Sequence, residues 1–362
     1  MPFSIFIPVW NDQCWLGGAI ESVLAQSYPD WELVIGDNAS DEDLRSVVEA
    51  YTDPRIRYYR WPTHTDLFAN FNRTMQLCAG DWLQLLSADD RLQPLCLARM
   101  AEVIAAAEQP RRLAAVITAC RRVSPAGEPA ALQYYGSQPV MEVAGGRYDA
   151  AGWLRLLAGP GLPPWNIGSV AISREVLAEM GGFFRAEVGL CADHDVTLRA
   201  AAYGDVYYID EPLLNYTVRG DSDGHARFHQ NRERGERATP MGAALLSGLA
   251  AHEARRTVTA VERRAVLAGV ARLHLRRAGQ HRILPGGRGR RGALADIGRA
   301  FQYSPETVLT PEQLLICLGA VFAPRGAIAW VSRNLAARRW QARRAPCSTG
   351  ASRKARKTGA DE

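Results

Sequence analysis

The chain has 362 residues, of which 47% are hydrophobic and 22% charged, which is typical of a globular protein and too apolar for a disordered one. No run of about 18 uncharged apolar residues occurs, which excludes a plain transmembrane helix, and the first residues lack the basic start expected of a signal peptide. The seven cysteines are scattered without a C-x-x-C pair. This pattern argues against a disulfide framework or a zinc site and predicts a reducing, cytoplasmic environment.

Charge is distributed unevenly along the chain. Residues 241–362 contain 22 Arg or Lys and 7 Asp or Glu, a net charge of +15, whereas residues 1–240 contain 21 and 31, a net charge of −10. This asymmetry predicts a boundary near residue 240. We therefore expect a first domain over 1–240, a basic helical extension over 241–345 and a disordered tail over 346–362.

Strand and helix patterns alternate over the first 120 residues. The pattern predicts strands at 3–8, 31–36, 56–61, 82–86 and 113–120, and helices at 14–25, 44–51, 67–78 and 95–107. Repeated βα units predict a doubly wound, mostly parallel sheet with helices on both faces. Ligands of such sheets bind beyond the carboxyl ends of the strands, which is where the acidic loops 37–41 and 87–90 fall.

The second half of the chain is less regular. Residues 121–165, rich in Gly and Pro, are interpreted as a hairpin and loop insertion. A strand is then predicted at 169–173, a helix at 193–203, and strands at 206–209 and 213–218. After residue 240 the pattern is helical, interrupted by a Gly/Arg segment at 285–292 that is interpreted as a flexible linker.

Acidic residues at the predicted strand ends are candidates for chemistry. Asp89 and Asp90 follow a buried strand, where their carboxylates suit Mg²⁺ or Mn²⁺ as well as they suit a helix N-cap. Asp37 by itself fits a cap or an Asx-turn better. Asp193 opens a helix, as a cap or as a general base held charged by the helix dipole.

Other residues have structural interpretations that compete with functional ones. Asp195 lies four residues before Arg199 and is expected to pair with it on one helix face. Trp165 and Asn166 could line an acceptor site, but core packing is favoured for them. A lone loop histidine such as His225 is more often a solvated surface residue than a ligand.

Five segments in order resemble the family 2 glycosyltransferases, which are inverting enzymes of the GT-A fold. The segments are SIFIPVWND (4–12), AIESVLAQSYPDWELVIGDNASDED (19–43), NFNRTMQLCAGDWLQLLSADD (70–90), GSVAISREVLAEMGGF (168–183) and ADHDVTLRAAAYGDVYYID (192–210). Each motif is weak alone, and the set covers residues 3–220. The resemblance implies a Rossmann-like GT-A domain followed by a helical C-terminal extension.

The resemblance also implies roles for particular residues. Those matching the cradle of the nucleotide base and ribose are Pro8, Trp10, Asn11 and Asp37, and those flanking the diphosphate-sugar are Asn70, Asn72 and Arg73. Ser87, Ala88 and Asp89 occupy the position of the DXD motif, so Asp89 would hold a divalent cation, Mn²⁺ or Mg²⁺, that neutralises the leaving diphosphate. Asp193 matches the general base that deprotonates the acceptor hydroxyl.

This sequence departs from the family pattern at several positions. Ser87 stands where the first DXD aspartate belongs, which predicts weaker metal binding or direct contact with the nucleotide. Ala192 replaces the acidic residue that often precedes the base. The segment Tyr216–Gly220 lacks the usual histidine of the Y-R-x-H pattern, for which His225 could substitute.

The resemblance implies a hexosyltransferase-type enzyme. It would move a sugar from a UDP-, GDP- or dTDP-sugar to a glycan or lipid-linked glycan in bacterial surface polysaccharide synthesis. A non-catalytic binding or scaffold protein on the same fold is the alternative. The basic extension and the apolar stretch 313–324 favour peripheral contact with an anionic membrane over packing as a helical subdomain. Nucleic acid is not a predicted partner, because the basic residues form no aromatic-interleaved motif.

Overall fold

A computed structural model describes residues 2–107, 112–130, 141–159, 164–182, 184–185, 188, 191–219, 239–283 and 289–322. The strands are β1 (Phe3–Val9), β2 (Trp31–Asp37), β3 (Ile56–Arg60), β4 (Trp82–Leu85), β5 (Arg91–Leu92), β6 (Leu113–Val123), β7 (Gly146–Tyr148), β8 (Val170–Ser173) and β9 (Asp205–Thr217). The helices of the first 200 residues are α1 (Gln13–Leu24), α2 (Leu44–Glu49), α3 (Leu67–Met75), α4 (Cys96–Ala105), α5 (Ala150–Leu157), α6 (Arg174–Glu179) and α7 (Ala192–Ala200). Those that follow are α8 (Thr239–Ala254), α9 (Ala260–Ile283), α10 (Gly289–Tyr303), α11 (Pro305–Val308) and α12 (Pro311–Phe322).

The strands form one mixed sheet in the order β3-β2-β1-β4-β8-β6-β9-β5, with β7 also paired to β9. The four strands β3, β2, β1 and β4 are parallel, and β6 and β9 form a second parallel pair. Strand β8 lies antiparallel between β4 and β6. The predicted fold class, a mostly parallel sheet with helices and a helical C-terminal region, is confirmed.

Both faces of the sheet are buried because successive side chains of a strand point in opposite directions. On β1, Ile5 and Ile7 join the core under α1, α2 and α4, whereas Phe6 joins the core under α3, α5, α7, α8 and α9. This burial on both faces explains why β1 and β2 read as nearly continuous apolar runs.

Three predicted elements differ in the structure. Helix α5 lies in the segment predicted to be a loop insertion, where Asp149 accepts a hydrogen bond from the Gly152 N–H and starts the helix. The two strands predicted at 206–209 and 213–218 are one strand, β9, whose register against β6 is irregular near Pro212. Residues 289–292 of the predicted linker form the first turn of α10, and residues 285–288 lie outside the described residues.

Helices α8 and α9 pack directly on the first 220 residues. Their Leu245, Leu249, Val266 and Val270 belong to the main core, and the His252 ring nitrogen Nε2 lies 2.9 Å from the Leu198 carbonyl of α7. The hydrophobic core therefore continues across residue 240, where the net charge of the chain changes sign. The division into domains stays a prediction. Among the helices described, none has the length and apolar character needed to cross a membrane.

Candidate active site

A pocket of about 250 Å³ opens at the carboxyl ends of β1 and β2. It is lined by Pro8, Trp10, Asn38, His64, Thr65, Asp66, Leu67 and Asn70. The Trp10 indole is 43% exposed, and its ring centroid lies 4.7 Å from that of His64. Of the residues predicted to bind a nucleotide-sugar, Pro8, Trp10 and Asn70 line this pocket.

Helix α3 comes close to β2 because Gly36 leaves room for it; a Cβ atom there would collide with Thr74. This approach puts Arg73 beside the pocket, where its Nε donates to Asn70 Oδ1 at 3.1 Å and its guanidinium lies over the Trp61 ring. Burial lowers the pKa of Arg73. Within the part of the chain that the structure describes, the acceptors of Arg73 are neutral, so this cation is available to an anion.

Asn38, which no sequence motif marks as a site residue, holds the pocket wall. Its side-chain amide donates to the Thr65 carbonyl and accepts from the Thr65 N–H, both at 2.9 Å, and it also accepts from Arg73. His64 is another pocket residue that the sequence patterns did not predict, as are its neighbours Thr65, Asp66 and Leu67. Neither belongs to a periodic pattern, and only the fold brings the loop before α3 against the loop after β2.

Asn11 connects two loops in the structure. It and Asp12 have φ angles of 56° and 66°, left-handed conformations that Asn and Asp tolerate better than most residues. The Asn11 N–H donates to Ser40 Oγ at 2.8 Å, and its Oδ1 accepts from the Asp41 N–H at 2.9 Å. Asn11 thus joins the loops after β1 and β2.

Asp37 has no exposed surface, although the resemblance implies contact with the nucleotide. Its carboxylate accepts from the Ser40 N–H at 2.8 Å, the Tyr58 hydroxyl at 2.6 Å and Arg60 Nη1 at 3.0 Å. The pKa of Tyr58 is raised to about 12, mainly by burial and secondly by its hydrogen bond to Asp37. In this structure Asp37 shapes the loop after β2 and its side chain is covered by these partners, and its contact with a nucleotide stays a prediction.

Asn72 lies on the side of α3 that faces the segment before α7. Its amide nitrogen donates to the Phe184 carbonyl and its amide oxygen accepts from the Phe184 N–H, both at 3.0 Å. This pair of hydrogen bonds anchors that segment to α3. In this structure Asn72 makes these backbone contacts and does not line the pocket.

The acidic loop after β4 is bridged to the loop after β1 by an arginine. Arg219 donates from Nε to Asp89 Oδ2 and from Nη2 to Asp12 Oδ1, each at 2.7 Å. Asp12 precedes α1, but its side chain does not cap that helix. The guanidinium, mostly buried at the end of β9, therefore holds two carboxylates from loops on neighbouring parallel strands.

Asp90 differs from its neighbour Asp89. It is completely buried, accepts from the Thr217 N–H at 2.9 Å, and lies 3.3 Å from the Asn166 side-chain nitrogen. Burial, and then the negative charge of Asp89, raise the pKa of Asp90 well above its usual range. The N-cap interpretation of this loop is wrong, because α4 begins at Cys96 behind Leu95.

The loop offers hard oxygen donors of the kind that Mg²⁺ and Mn²⁺ prefer. These are the Asp89 carboxylate and the Ser87 hydroxyl; the Ala88 side chain between them is buried. Across the described ranges, no group of three or more candidate ligands surrounds one point. Such a donor set fits a cation shared with substrate phosphates rather than an all-protein cage.

Asp193 lies in the first turn of α7, with its side chain 17% exposed. Its Oδ1 accepts from the His194 N–H at 2.8 Å and contacts His194 Nδ1 at 2.6 Å. Oδ2 has no hydrogen-bond partner among the residues that the structure describes. Burial raises the pKa of the Cys120 thiol to about 12; the charge of Arg122 lowers this pKa, whereas Asp90 and Asp193 raise it, so both carboxylates lie within electrostatic range of this thiol.

Two structural interpretations made from the sequence are confirmed near this helix. Arg199 Nε donates to Asp195 Oδ2 at 2.8 Å in a buried pair on one helix face. Trp165 is buried and stacks on Trp153 with ring centroids 5.2 Å apart. His225 lies outside the described residues.

Residues 4–122, about a third of the chain, match the family model described as Glycosyl transferase family 2, the family that the sequence motifs resemble. Over 93 residues the chain is 37% identical to the putative colanic acid biosynthesis glycosyl transferase WcaA of Escherichia coli K12, covering 25% of this chain and 33% of WcaA. Over 90 residues it is 30% identical to the putative glycosyltransferase EpsE of Bacillus subtilis 168, covering 24% and 32%. The matched segment thus spans only about a third of either relative.

The fold is shared with a solved structure over most of the chain. The crystal structure of S. aureus TarS 1–349 superposes with a TM-score of 0.53 at 13% identity, covering 84% of this chain and 90% of that one. The same protein in complex with UDP-GlcNAc gives a TM-score of 0.52 at 14% identity, covering 84% and 91%. At this identity the likeness shows the GT-A fold alone.

Proposed function

We propose that the protein transfers a sugar from a nucleotide-sugar to a hydroxyl of a glycan or lipid-linked glycan in bacterial surface polysaccharide assembly. The observation that carries this proposal is the Asp193 carboxylate, which is partly exposed and whose Oδ2 has no hydrogen-bond partner among the described residues. The match to glycosyl transferase family 2 and the names of WcaA and EpsE support it. The UDP-GlcNAc complex of TarS supports a nucleotide-sugar as donor.

The donor would bind in the pocket at the ends of β1 and β2. Pro8, Trp10 and Asn70 line it, and the Trp10 face is exposed for stacking on a base. Asn11, Asp37 and Asn72 shape this site through the backbone segments that they hold. Arg73, beside Asn70, would contact the diphosphate as a cation with neutral partners.

The charge of the leaving diphosphate would be met at the loop of Ser87, Ala88 and Asp89. A divalent cation, Mn²⁺ or Mg²⁺, held by Asp89 would supply electrostatic stabilisation of the leaving group when bound. Ser87 would add a hydroxyl, a weaker ligand than the usual aspartate. Arg219, which already pairs with Asp89, contributes a second positive charge at the same place.

The transfer would be a single displacement. Asp193 Oδ2 takes the proton of the acceptor hydroxyl, and the oxygen attacks the anomeric carbon from the face opposite the phosphate. The bond between that carbon and the phosphate oxygen breaks, and its electron pair leaves with the nucleoside diphosphate. The configuration at the anomeric carbon is inverted, and one catalytic carboxylate suffices.

A screen of UDP-, GDP- and dTDP-sugars, with and without Mn²⁺, tests this function by the release of nucleoside diphosphate. We expect turnover with at least one donor, and loss of it in the Asp193→Asn variant. Nucleotide binding without turnover of any donor, with a panel of glycan acceptors present, would favour the alternative of a non-catalytic binding protein.

We further propose peripheral contact with an anionic membrane on its cytoplasmic side. Helix α12 exposes Leu315 and Phe322, each 70% exposed, and Leu318 on one stripe, while Cys317 and Ala320 face inward. The positive charge of residues 241–362 would add attraction worth about 1 kcal/mol for each basic residue near the surface. This contact requires no membrane-spanning helix.

Co-sedimentation of the full chain with anionic and with neutral lipid vesicles tests this contact. Binding should be confined to the anionic vesicles and should weaken as salt is added. Leu315→Glu combined with Phe322→Glu should reduce it, whereas Leu294→Glu on α10 is the matched exposed control. Truncation after residue 240 is not a suitable test, because it would strip Leu245 and Val270 from the main core.

A further inference from the structure

His194 makes a close and specific contact with the candidate base. It is 6% exposed, and its backbone N–H and ring Nδ1 both bond to the same oxygen, Asp193 Oδ1, at 2.8 and 2.6 Å. Its other ring nitrogen, Nε2, is buried without a hydrogen-bond partner in the described part of the chain. In the first turn of α7 an imidazole therefore contacts one oxygen of Asp193, and the other oxygen accepts no hydrogen bond from the residues that the structure describes.

The surroundings of His194 define its tautomer. Because Asp193 Oδ1 is an acceptor, the proton of the ring must be on Nδ1. Nε2 is buried without a partner among the described residues and takes no part in this contact. The ring therefore acts on the base as a hydrogen-bond donor through Nδ1.

Asp193 differs in its partners from three other carboxylates of the first 220 residues. Asp37, Asp89 and Asp195 are each paired with an arginine. Among the described residues, Asp193 accepts on Oδ1 alone, from the backbone and the ring of His194, which restricts its rotation and leaves Oδ2 for the acceptor proton.

We propose that His194 is a positioning residue for the general base: its Nδ1–H fixes the Asp193 carboxylate so that Oδ2 faces the acceptor hydroxyl. This inference rests on the proposed function. His194 itself neither gains nor loses a proton in the step. The acceptor proton goes to Oδ2, and the hydrogen bond from Nδ1 stays in place.

The test compares His194→Leu, which removes the donor but keeps an apolar volume, with His194→Asn, whose amide N–H can replace Nδ1–H. His194→Leu should lower kcat about 10- to 100-fold, as expected when a hydrogen bond to a charged group is lost, with the donor KM unchanged. The acidic limb of its kcat–pH profile should move to higher pH, because the charged form of Asp193 loses a donor. His194→Asn should recover most of kcat.

Measurement of the same substitutions in the Asp193→Asn background separates positioning from a general structural role. There, His194→Leu should cause no further loss, because the two side chains act as a unit. An unchanged kcat and pH profile for folded His194→Leu, or an equal loss in both backgrounds, would overturn the proposal. If Asp193→Asn turned over at the wild-type rate, the base assigned under the proposed function would be wrong. If His194→Leu turned over at the wild-type rate while Asp193→Asn was inactive, only the inference about His194 would fail.

Discussion

Two aspartate–histidine contacts in this molecule have the same chemistry and different surroundings. Asp296, between α9 and α10, has no exposed surface and accepts from His274 Nδ1 at 3.0 Å, from Arg277 Nε at 2.6 Å and from Arg299 Nη1 at 3.2 Å. Asp193, at the candidate active site, is partly exposed and accepts only on Oδ1 from groups that the structure describes.

The two carboxylates differ in how many of their oxygens already accept hydrogen bonds from described residues. Burial alone would raise the pKa of Asp296, but hydrogen bonds from His274 and Arg277 hold this pKa below its usual range. Such a fully paired carboxylate joins two helices and has no surface for a substrate. A histidine partner alone therefore does not mark an aspartate as functional. What marks Asp193 is a solvent-accessible carboxylate oxygen without a cationic partner among the described residues.

The largest expected effect is on the catalytic side of this comparison. Asp193→Asn should lower turnover about 10²- to 10⁴-fold, because an amide cannot take the acceptor proton. Calorimetric titration with nucleoside diphosphate and a melting curve of the same variant should match the wild type. Turnover near the wild-type rate would remove Asp193 from the chemistry.

On the structural side, Asp296→Ala should reduce the free energy of unfolding by about 3 kcal/mol, because it leaves Arg277 buried without its carboxylate. The rate per folded molecule should be unchanged. Urea denaturation measures the loss, and Glu312→Ala on exposed α12 serves as the control. A loss of turnover without destabilisation would contradict the structural role.

The same carboxylate should also make stability depend on pH. Since the folded-state pKa of Asp296 is depressed, its contribution is fully present above the unfolded value of about 3.9 and is lost as pH falls toward the folded value. The free energy of unfolding, measured by urea denaturation at several pH values from 6 to 3, should therefore depend less on pH for Asp296→Ala than for the wild type. The same pH dependence in both proteins would show that the protonation of Asp296 does not contribute to stability.

Two further variants compare the neighbouring residues Asp89 and Asp90 of the acidic loop. Asp89→Ala should lose Mn²⁺-dependent nucleotide binding more than Asp90→Ala. The latter should instead lose about 1–3 kcal/mol of stability, because the Thr217 N–H is left buried and unpaired. Titration of Mn²⁺ against both, together with melting curves, checks the order; equal binding losses would mean that the assignment within this loop is wrong.

The smallest effect concerns the arginine of this loop. Arg219→Met removes the positive charge between Asp12 and Asp89, so Mn²⁺ should bind about tenfold more tightly by electron paramagnetic resonance titration. Arg45→Met, at an exposed surface pair on α2, is the control. Unchanged Mn²⁺ affinity would show that Arg219 and a cation do not compete for Asp89.

Much of the fold was predictable because strong apolar runs mark the buried strands. The bounds of β1 to β4 and of β6 follow such runs within a few residues, and the helices between them show helical spacing. Helix α5 was missed because its segment follows a Gly- and Pro-rich stretch that favours loops. The predicted site residues converge because Pro8 and Trp10 lie at the end of β1, and Asn70 lies on α3, which packs against β2 beside Gly36.

The contacts that separate one acidic residue from another could not be predicted. Asp89 and Asp90 are adjacent and equivalent in pattern, and only the pairing with the end of β9 decides which is buried. Asp37 is covered by Tyr58 and Arg60 of β3, which no local spacing links to it. Such assignments depend on long-range packing, which the motifs do not encode.

The Asp12–Arg219 ion pair has a consequence for the order of folding. Its two residues are 207 positions apart, so the loops after β1 and β4 lack their shared counter-ion until most of the chain has been made. At about 5–20 residues per second, a ribosome needs roughly 10–40 s to cover that distance. The early βα units can pair and bury their apolar faces within this interval, whereas the bridge from Asp12 through Arg219 to Asp89 forms only when β9 reaches the sheet.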